Sequence, residues 1–541
     1  MTSGADNGQS ASGQSPGRRA AVVVGAGIAG LSAARVLADR FAEVTIVDRD
    51  ALPDDGSPRR GVPQGKHSHV LLVAGQKALG EIFPGLHDEL VGAGAVVFDS
   101  GSDLHLYRLG ASWNPVETGL PFVSLSRPLL EFTLRRLVTA LPNVTVLAAT
   151  AVSSLSAADG NVTGVVLDDG RTLAADLVVD ATGRGSRSDR WLEALGFPVP
   201  DTEEVKVTVG YVSRLYRRTP GDLPVQAAFV QPTPPAEKRI GAALLVEDDQ
   251  WLVSVGGWHG DYPSADEEGF RKHAESLPDQ IFAELIATAK PLTEPVAFQF
   301  PSNRRRLFDQ LTTVPGGFVS LGDAVCSFNP LYGQGMTVAA QEALALGTTI
   351  DEYATLTPAA VQAFYQKAAG ITFIPWQSAI GGDFDYPETQ GTRPAAAELF
   401  GRYSTNVQLA AQVSGAVRTV VLQVQHLLVA PTALWRPELV AEVARAARHP
   451  GEGDEPLGVG AHGRPLWTDE DVRAEHVRAT LRAAGFPEFT DQQAGFAVEG
   501  GAPIVIAGLD GRADEYAPAL ETAGFRVTPS TDPLVLYAEP A

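Results

Sequence analysis

Five apolar residues, Ala20-Ala-Val-Val-Val24, run straight into Gly25-Ala-Gly27-Ile-Ala-Gly30. An unbroken apolar run of this length suits a parallel strand buried on both faces. Ile28, Leu31, Ala34 and Leu37 recur at helical spacing and predict a helix to Arg40. Glu43–Val47 is the next strand and ends at Asp48. The chain is thereby committed to a βαβ unit. Gly25 permits a tight turn out of the strand, bare Gly27 lets a pyrophosphate approach the backbone, and Gly30 lets the helix pack closely on the sheet. The helix start offers free N–H groups and a positive dipole end. Asp48 stands at the end of the second strand, where a carboxylate can accept from ribose hydroxyls. A glycine turn in an ordinary βαβ unit would explain the glycines alone. The strand before, the helix after and the acid in place point to a dinucleotide.

A second motif lies far downstream: Phe318-Val-Ser-Leu-Gly322-Asp323-Ala324, then Asn329-Pro330-Leu-Tyr-Gly333-Gln334-Gly335-Met336. Asp323, at a strand end, is placed either to cap a helix entry or to meet a ribityl hydroxyl. The Gly-Gln-Gly turn exposes N–H groups at a helix start, which can stabilise negative charge on the N1–C2=O side of a reduced flavin. The two motifs together point to FAD.

The chain of 541 residues is long enough for two or three domains. Lys and Arg number 42 against 64 Asp and Glu, a net charge of −22, which argues against nucleic acid as the main partner. Cys326 is the single cysteine, so no internal disulfide can form and Cys/His zinc sites of the usual spacing are excluded. No metal is expected. Residues 1–19 predict a disordered arm without a signal peptide. The apolar stretch Val407 to Trp435 is interrupted by Arg418, Gln423, Gln425 and His426, so no transmembrane segment is expected. The expected fold class is α/β, a Rossmann-like FAD-binding domain of the glutathione-reductase type with an inserted, mostly antiparallel substrate sheet. C-terminal helices and a small α+β tail follow. The FAD domain is discontinuous over 20–94, 120–200 and 305–350, and the substrate domain takes 95–119 and 201–304. Residues 351–448 are helical, 449–465, rich in Gly, Pro and acid, form a linker, and 466–541 form an independently packed accessory domain.

Four blocks now carry a resemblance. They are Arg60-Gly-Val-Pro-Gln64-Gly-Lys-His67-Ser-His69, Ser126-Arg127-Pro-Leu-Leu-Glu131, Asp176-Leu-Val-Val-Asp-Ala-Thr-Gly-Arg-Gly-Ser186, and Leu321-Gly-Asp-Ala with Asn-Pro-Leu-Tyr-Gly-Gln-Gly-Met336. The chain resembles the FAD-dependent monooxygenases of the p-hydroxybenzoate hydroxylase fold. More narrowly it is similar to the flavin epoxidases of polyether antibiotic biosynthesis, the lasalocid and monensin type. The likeness covers roughly residues 20–450. It implies that Gly25, Gly27, Gly30 and Asp48 bind the ADP half of FAD, with Arg127 near the pyrophosphate or ribityl chain. Asp323 would hold ribityl or phosphate, with Pro330 and Gly333, Gln334, Gly335 and Met336 beside the flavin ring. Gln64 and His69 join this set, while His67 and His69 serve either loop structure or contact with the flavin face.

The implied reaction is oxygen transfer from O2, through a flavin C4a-hydroperoxide, to an alkene or arene of an apolar polyketide or terpenoid-like substrate. Epoxidation is the leading expectation. Aromatic hydroxylation, or a flavin halogenase or prenyl reductase on the same fold, is the alternative. The tryptophan-halogenase string Trp-x-Trp-x-Ile-Pro does not occur. Candidate pocket residues are Tyr211, Ser254, Trp258, Phe298 and Phe300, each equally explicable as sheet core. No side-chain nucleophile is required. Thr182 stands where the aromatic hydroxylases carry an Asp implicated in FAD and NAD(P)H binding. Electrons are expected either from NAD(P)H directly or through a partner flavin reductase. Arg184, Arg187 and Arg190 follow that motif and are either phosphate contacts or solvated arginines. A cytoplasmic location is expected.

Overall fold

The computed structural model describes residues 20–353, 355–447 and 455–541. The expected arm at 1–19 and the first part of the expected linker lie outside the described residues.

Ala20–Val24 sits in the middle of a five-stranded parallel sheet. Leu177–Asp180 and Phe318–Ser320 lie on one side of it, Glu43–Val47 and Val144–Leu147 on the other. Val22 pairs with Val178 on one flank and Thr45 on the other. Both faces are buried, as an all-apolar strand demands. Helix Ile28–Ala38 covers one face and packs on Arg127–Thr139 and Gly335–Glu352. The other cover is a three-stranded antiparallel sheet, Val152–Ala158, Asn161–Leu167 and Thr172–Ala174, which contributes Leu155, Val162 and Val165 to the same core. These three strands were not foreseen.

An eight-stranded sheet forms the second layer. Its centre is Val296–Arg306, Thr202–Arg217, Gln250–Gly257 and Arg239–Val246, all antiparallel. Ala227–Val230 follows and pairs in parallel with Leu104–Arg108. Residues 95–107, whose sequence reads as extended, are split between two sheets. Val96–Asp99 leaves to pair with Pro121–Ser124, and Leu104–Arg108 alone joins the large sheet. The Asp99 carboxylate causes the break, accepting from the N–H groups of Gly101, Ser102 and Thr118. One face of the large sheet, with Val212, Ala243, Val253 and Val255, is covered by helices Glu267–Glu275 and Ile281–Thr288. The opposite face presents Tyr211 and Phe298 to the first layer.

The C-terminal part corrects one expectation. The tail sheet, Phe496–Glu499, Ile504–Gly508, Val535–Pro540 and Phe525–Pro529, is antiparallel and apolar on both faces. Phe496, Val498, Ile504 and Ile506 pack on helix Asp469–Ala483 and its surroundings. Ala497, Val505, Ala507 and Val535 share a core with Leu399, Tyr403 and Val407 of helix Ala397–Val413 and with Leu439 and Val443 of helix Pro437–Ala446. The tail is therefore not independently packed, because alternation along a strand shows two apolar faces but not what covers each. Residues 512–524, whose sequence reads as a helix, form a 3-10 turn, Ala513–Glu515, followed by a short helix, Ala517–Thr522. Pro518, with no N–H to give, fits only its first turn.

Candidate functional site

The two glycine motifs and the inner face of the large sheet open on one cavity of about 540 Å³, within the usual size range of ligand sites. Gly25, Gly27 and Asp48 line it, and so do Tyr211, Phe298, Phe300 and Phe328. Gln64, His69, Arg127, Asp323, Pro330, Gly333, Gln334, Gly335 and Met336 also line it. Three expected site residues do not. A Cβ on Gly30 would lie 1.8 Å from the Gly25 carbonyl oxygen, so Gly30 serves strand–helix packing. Ser254 lies one layer back, its hydroxyl 2.5 Å from Ser213 Oγ and donating to Ser68 Oγ at 2.8 Å. Trp258 turns away and donates Nε1–H to Asp383 at 2.9 Å. A period-two pattern assigns a face, but it cannot say how far along that face the cavity extends.

The motif glycines differ in what they need. Gly25 has φ +106°, and a Cβ there would meet the Ala181 carbonyl oxygen at 2.5 Å. Gly27 has φ −78°, ordinary for any residue, and its Cβ would meet only Arg59 Nη2 at 3.7 Å. Among the described residues nothing requires a glycine at 27, and the position opens on the cavity. Helix Ile28–Ala38 starts at Gly27, and helix Gly335–Glu352 starts at Gln334. Neither has a side chain among the described residues capping its first N–H groups, and unsatisfied N–H groups at a helix start are a ready anion site.

Asp48 is buried, accepting from the Ala26 N–H at 2.6 Å and from Arg59 Nη1 at 3.2 Å. Arg59 also donates to Asp50 at 3.0 Å and to Glu131 at 2.5 Å. Burial works against its charge, but Glu131, Asp48 and Asp50 together hold its pKa above the ordinary arginine value. Neither Arg59 nor its link to Glu131 was foreseen, since an ion pair across 72 residues has no local signal.

Arg127 is placed by the helix it opens. Ser126 Oγ caps that helix, accepting from the Leu129 N–H at 3.2 Å, and Pro128 fits the first turn. The Arg127 Nε is buried without a hydrogen-bond partner among the described residues. Burial depresses its pKa, and Glu131 and Asp323 counter this. Asp323 is pushed up by burial and pulled back by Arg127, Arg184 and Arg304. Buried Gln334 Oε1 likewise lacks a partner among the described residues. Buried polar groups without partners are costly. Two uncapped helix starts, an unpaired arginine nitrogen, an unpaired amide oxygen and an unfilled space at Gly27 together fit a phosphate-bearing, hydroxyl-rich cofactor such as FAD.

His69 and His67 separate in role. His69 lines the cavity with Nδ1 on the His67 carbonyl at 2.9 Å, so Nε2 is left as an acceptor. Burial, reinforced by Arg127, holds its pKa down to about 3. His67 is fully buried behind the wall, with Nδ1 2.8 Å from Ser213 Oγ and its ring edge-on to Tyr211. Burial and Lys66 lower its pKa to about 4. Both imidazoles are neutral at pH 7.

The three arginines after strand Leu177–Asp180 also divide. Arg184 donates to Ser302 O at 2.7 Å, Ser302 Oγ at 2.6 Å and Ser327 Oγ at 2.5 Å, and lies over the Phe300 ring. It ties the two layers together. Arg187 and Arg190 are exposed, and Arg187 lines the cavity. Thr182 Oγ1 donates to Asp180 at 2.6 Å. No group of three or more His, Cys, Asp or Glu is arranged to hold a metal among the described residues. No described helix is long and apolar enough to cross a membrane.

Glu342, on the helix that starts at Gln334, is fully buried. Its carboxyl accepts from the Gly322 N–H at 2.5 Å. Burial, with Asp323 adding repulsion and the Gly322 bond opposing, raises its pKa from 4.5 to about 8. The folded chain thus keeps a proton that the unfolded chain releases near the ordinary value. The stability this gives is fully present below that ordinary value and drains away as pH rises to about 8. The slope approaches ~1.4 kcal/mol per pH unit. Glu342→Gln, which mimics the protonated acid, should gain on the wild type in urea midpoint between pH 5 and pH 8. A difference that does not change with pH would show the carboxyl to be ionised.

Protein Rv3254 of Mycobacterium tuberculosis is 33% identical over 384 residues, spanning 68% of this chain and 80% of that protein. PqsL of Pseudomonas aeruginosa, described as a probable FAD-dependent monooxygenase, superposes with TM-score 0.51 at 18% identity over 68% of this chain and 99% of its own. The flavin-dependent brominase Bmp2 superposes with TM-score 0.56 at 12% identity over 75% and 92%. At such identities these two structures share the fold. Residues 21–187 match the family model "FAD dependent oxidoreductase". Taken with the relative matched over most of its length, this match identifies the chain as a member of the FAD-dependent oxidoreductases.

Proposed function

We propose that the protein is an FAD-dependent monooxygenase that inserts one oxygen atom of O2 into an apolar small molecule, with epoxidation of an alkene as the favoured outcome. One observation carries this reading. A single cavity joins the glycine cradle to an aromatic wall of Tyr211, Phe298, Phe300 and Phe328, so a flavin held by the first would face a substrate packed on the second. Gly25, Gly27 and Asp48 would hold the ADP half, Arg127 and Asp323 the pyrophosphate and ribityl chain, and Gln64, His69, Pro330 and Gly333 to Met336 the ring. Bound reduced FAD supplies the oxygen activation. The chain's part is to exclude water and to fix the substrate. Buried Tyr211, Phe300 and Phe328 keep the wall dry. Neutral His69 adds an acceptor without a charge. The uncapped N–H groups at Gln334–Met336 favour negative charge at that end of the ring. In this division, residues 20–94, 120–200 and 305–350 hold the cofactor, while 95–119 and 201–304 shape the substrate side. A cytoplasmic location suits the free, buried Cys326.

For the electrons we favour a partner flavin reductase. The bonding of Arg184 to Ser302 and Ser327 supports this, because of the two arginines after the Thr182 motif that line the cavity it leaves exposed Arg187 as the one open to a nicotinamide nucleotide. Anaerobic mixing with NADH or NADPH should leave the flavin oxidised until a reductase is added. Rapid bleaching by either nucleotide alone would overturn this part. For the reaction itself, turnover under labelled O2 with polyene substrates should place one labelled oxygen in the product. Label from water, or incorporation of halide, would refute the monooxygenase reading.

A further inference from the structure

Asp383 ends helix Pro358–Asp383 and is fully buried. Its carboxylate accepts four hydrogen bonds from two other parts of the chain. Trp258 Nε1 and Asn303 Nδ2 come from the inserted sheet region, at 2.9 and 2.6 Å. Asn329 Nδ2 and the Tyr332 hydroxyl come from the loop at the cavity, at 2.8 and 3.1 Å. The same loop is held again from the sheet, where Asn303 Oδ1 accepts from the Asn329 N–H at 2.5 Å. Asn329 Oδ1 in turn accepts from the Leu331 N–H at 3.2 Å and opens the short turn Pro330–Tyr332. Gly333, in the left-handed region at φ +67°, closes that turn and leads to Gln334 and Gly335 in the cavity wall.

A buried carboxylate is tolerated only where its lone pairs are filled. Here the indole and both amide N–H groups can only donate, so the site calls for an acceptor-only ion. Burial raises Asp383 to about 6 against the opposing pull of the four donors. Among the described residues no arginine or lysine hydrogen-bonds or pairs with it. A charge-free ring of donors around one carboxylate forms a network in which each member depends on the others. The ring gathers the helix, the sheet and the loop at one point.

We propose that Asp383 is a positioning residue for the cofactor: its carboxylate sets the Asn329–Gly333 turn against the inserted sheet and thereby places the Pro330–Gly335 wall of the flavin subsite. This rests on the flavin reading of that wall. It adds a residue outside the cavity and outside every motif that suggested the cofactor.

The test uses the full chain with two variants, Asp383→Asn and Tyr332→Phe. Asp383→Asn turns an NH2 into a ring of donors, and Tyr332→Phe deletes one donor while keeping the carboxylate. In the cofactor-free protein, amide exchange at Leu331, Tyr332 and Gly333 should be about tenfold faster in Asp383→Asn and intermediate in Tyr332→Phe, with the Ala20–Val24 amides unchanged. After loading with FAD, both variants should show a shifted visible flavin band. Asp383→Asn should bind FAD about tenfold more weakly. If Asp383→Asn does not fold, Tyr332→Phe alone decides by the same two readouts. Unchanged exchange at 331–333 would overturn the positioning role. Faster exchange with an unaltered flavin band and affinity would overturn its link to the cofactor. A wild-type chain that takes up no FAD would refute the cofactor reading instead, and the exchange measurement would still judge Asp383.

Discussion

Gly27→Val should leave the protein folded and abolish its flavin binding. A side chain at 27 needs no unusual backbone angle, and its Cβ would approach only Arg59 Nη2, at 3.7 Å. The added methyls therefore project into the cavity, where the first N–H groups of helix Ile28–Ala38 would meet a pyrophosphate. Affinity for FAD should fall at least about 100-fold, or ~2.7 kcal/mol, while the urea midpoint of the cofactor-free protein stays put. Gly30→Ala is the opposite case. Its Cβ would fall 1.8 Å from the Gly25 carbonyl oxygen, a backbone atom that cannot swing aside. It should cost about 3 kcal/mol or more of stability. Paired titrations of FAD fluorescence and urea unfolding on the two variants check this. If Gly27→Val bound FAD normally, or lost its fold along with Gly30→Ala, the cavity wall at Gly25, Gly27 and Asp48 would not be the phosphate site.

Arg127→Met should separate stability from function. The cofactor-free chain carries the Arg127 guanidinium with a buried Nε that no described group accepts from, and its charge is disfavoured by burial. Methionine retains the apolar stem and removes the unpaired donors. The cofactor-free variant should unfold at higher urea, by about 1 kcal/mol. Its FAD affinity should drop about 10- to 100-fold, because a charge-assisted contact to the pyrophosphate or ribityl chain is gone. A destabilised variant would mean that Arg127 already has its partner within the protein. A stabilised variant with full FAD affinity would remove Arg127 from the cofactor site.

Much of this site was legible because its parts are local. Gly25, Gly27 and Asp48 sit on one βαβ unit, and Gly333 to Met336 on one turn. Each such motif is a run of backbone whose conformation the neighbouring residues dictate. The sequence reads Val205–Leu215, Arg239–Val246 and Trp251–Gly256 as strands, and the structure has Arg239–Val246 there, with Thr202–Arg217 and Gln250–Gly257 within a few residues of the other two. What escaped was non-local. Trp258 was expected in the substrate pocket, but its indole had to satisfy its N–H and found Asp383, 125 residues away. Ser254 faced the right way, yet Ser213 and Ser68 took its hydroxyl into a second layer. Arg184 looked available from its place after a motif and is spent on Ser302 and Ser327.

By itself, then, the sequence determined that a parallel sheet begins at Ala20, that glycine turns follow Val24 and Asn329, and that an antiparallel sheet is inserted between them. These are consequences of backbone angles and of side-chain periods of 2 and 3.6 residues, which act over a few positions. Only the tertiary structure decided which apolar faces meet, and so that the tail sheet shares its core with helix Ala397–Val413 instead of standing alone. It alone decided which buried charges find partners: Arg59 is held by three carboxylates, Asp383 by four donors, and Arg127 Nε by no described group. Burial sets the cost of a polar group, and its partner, distant in sequence, decides whether that cost is met.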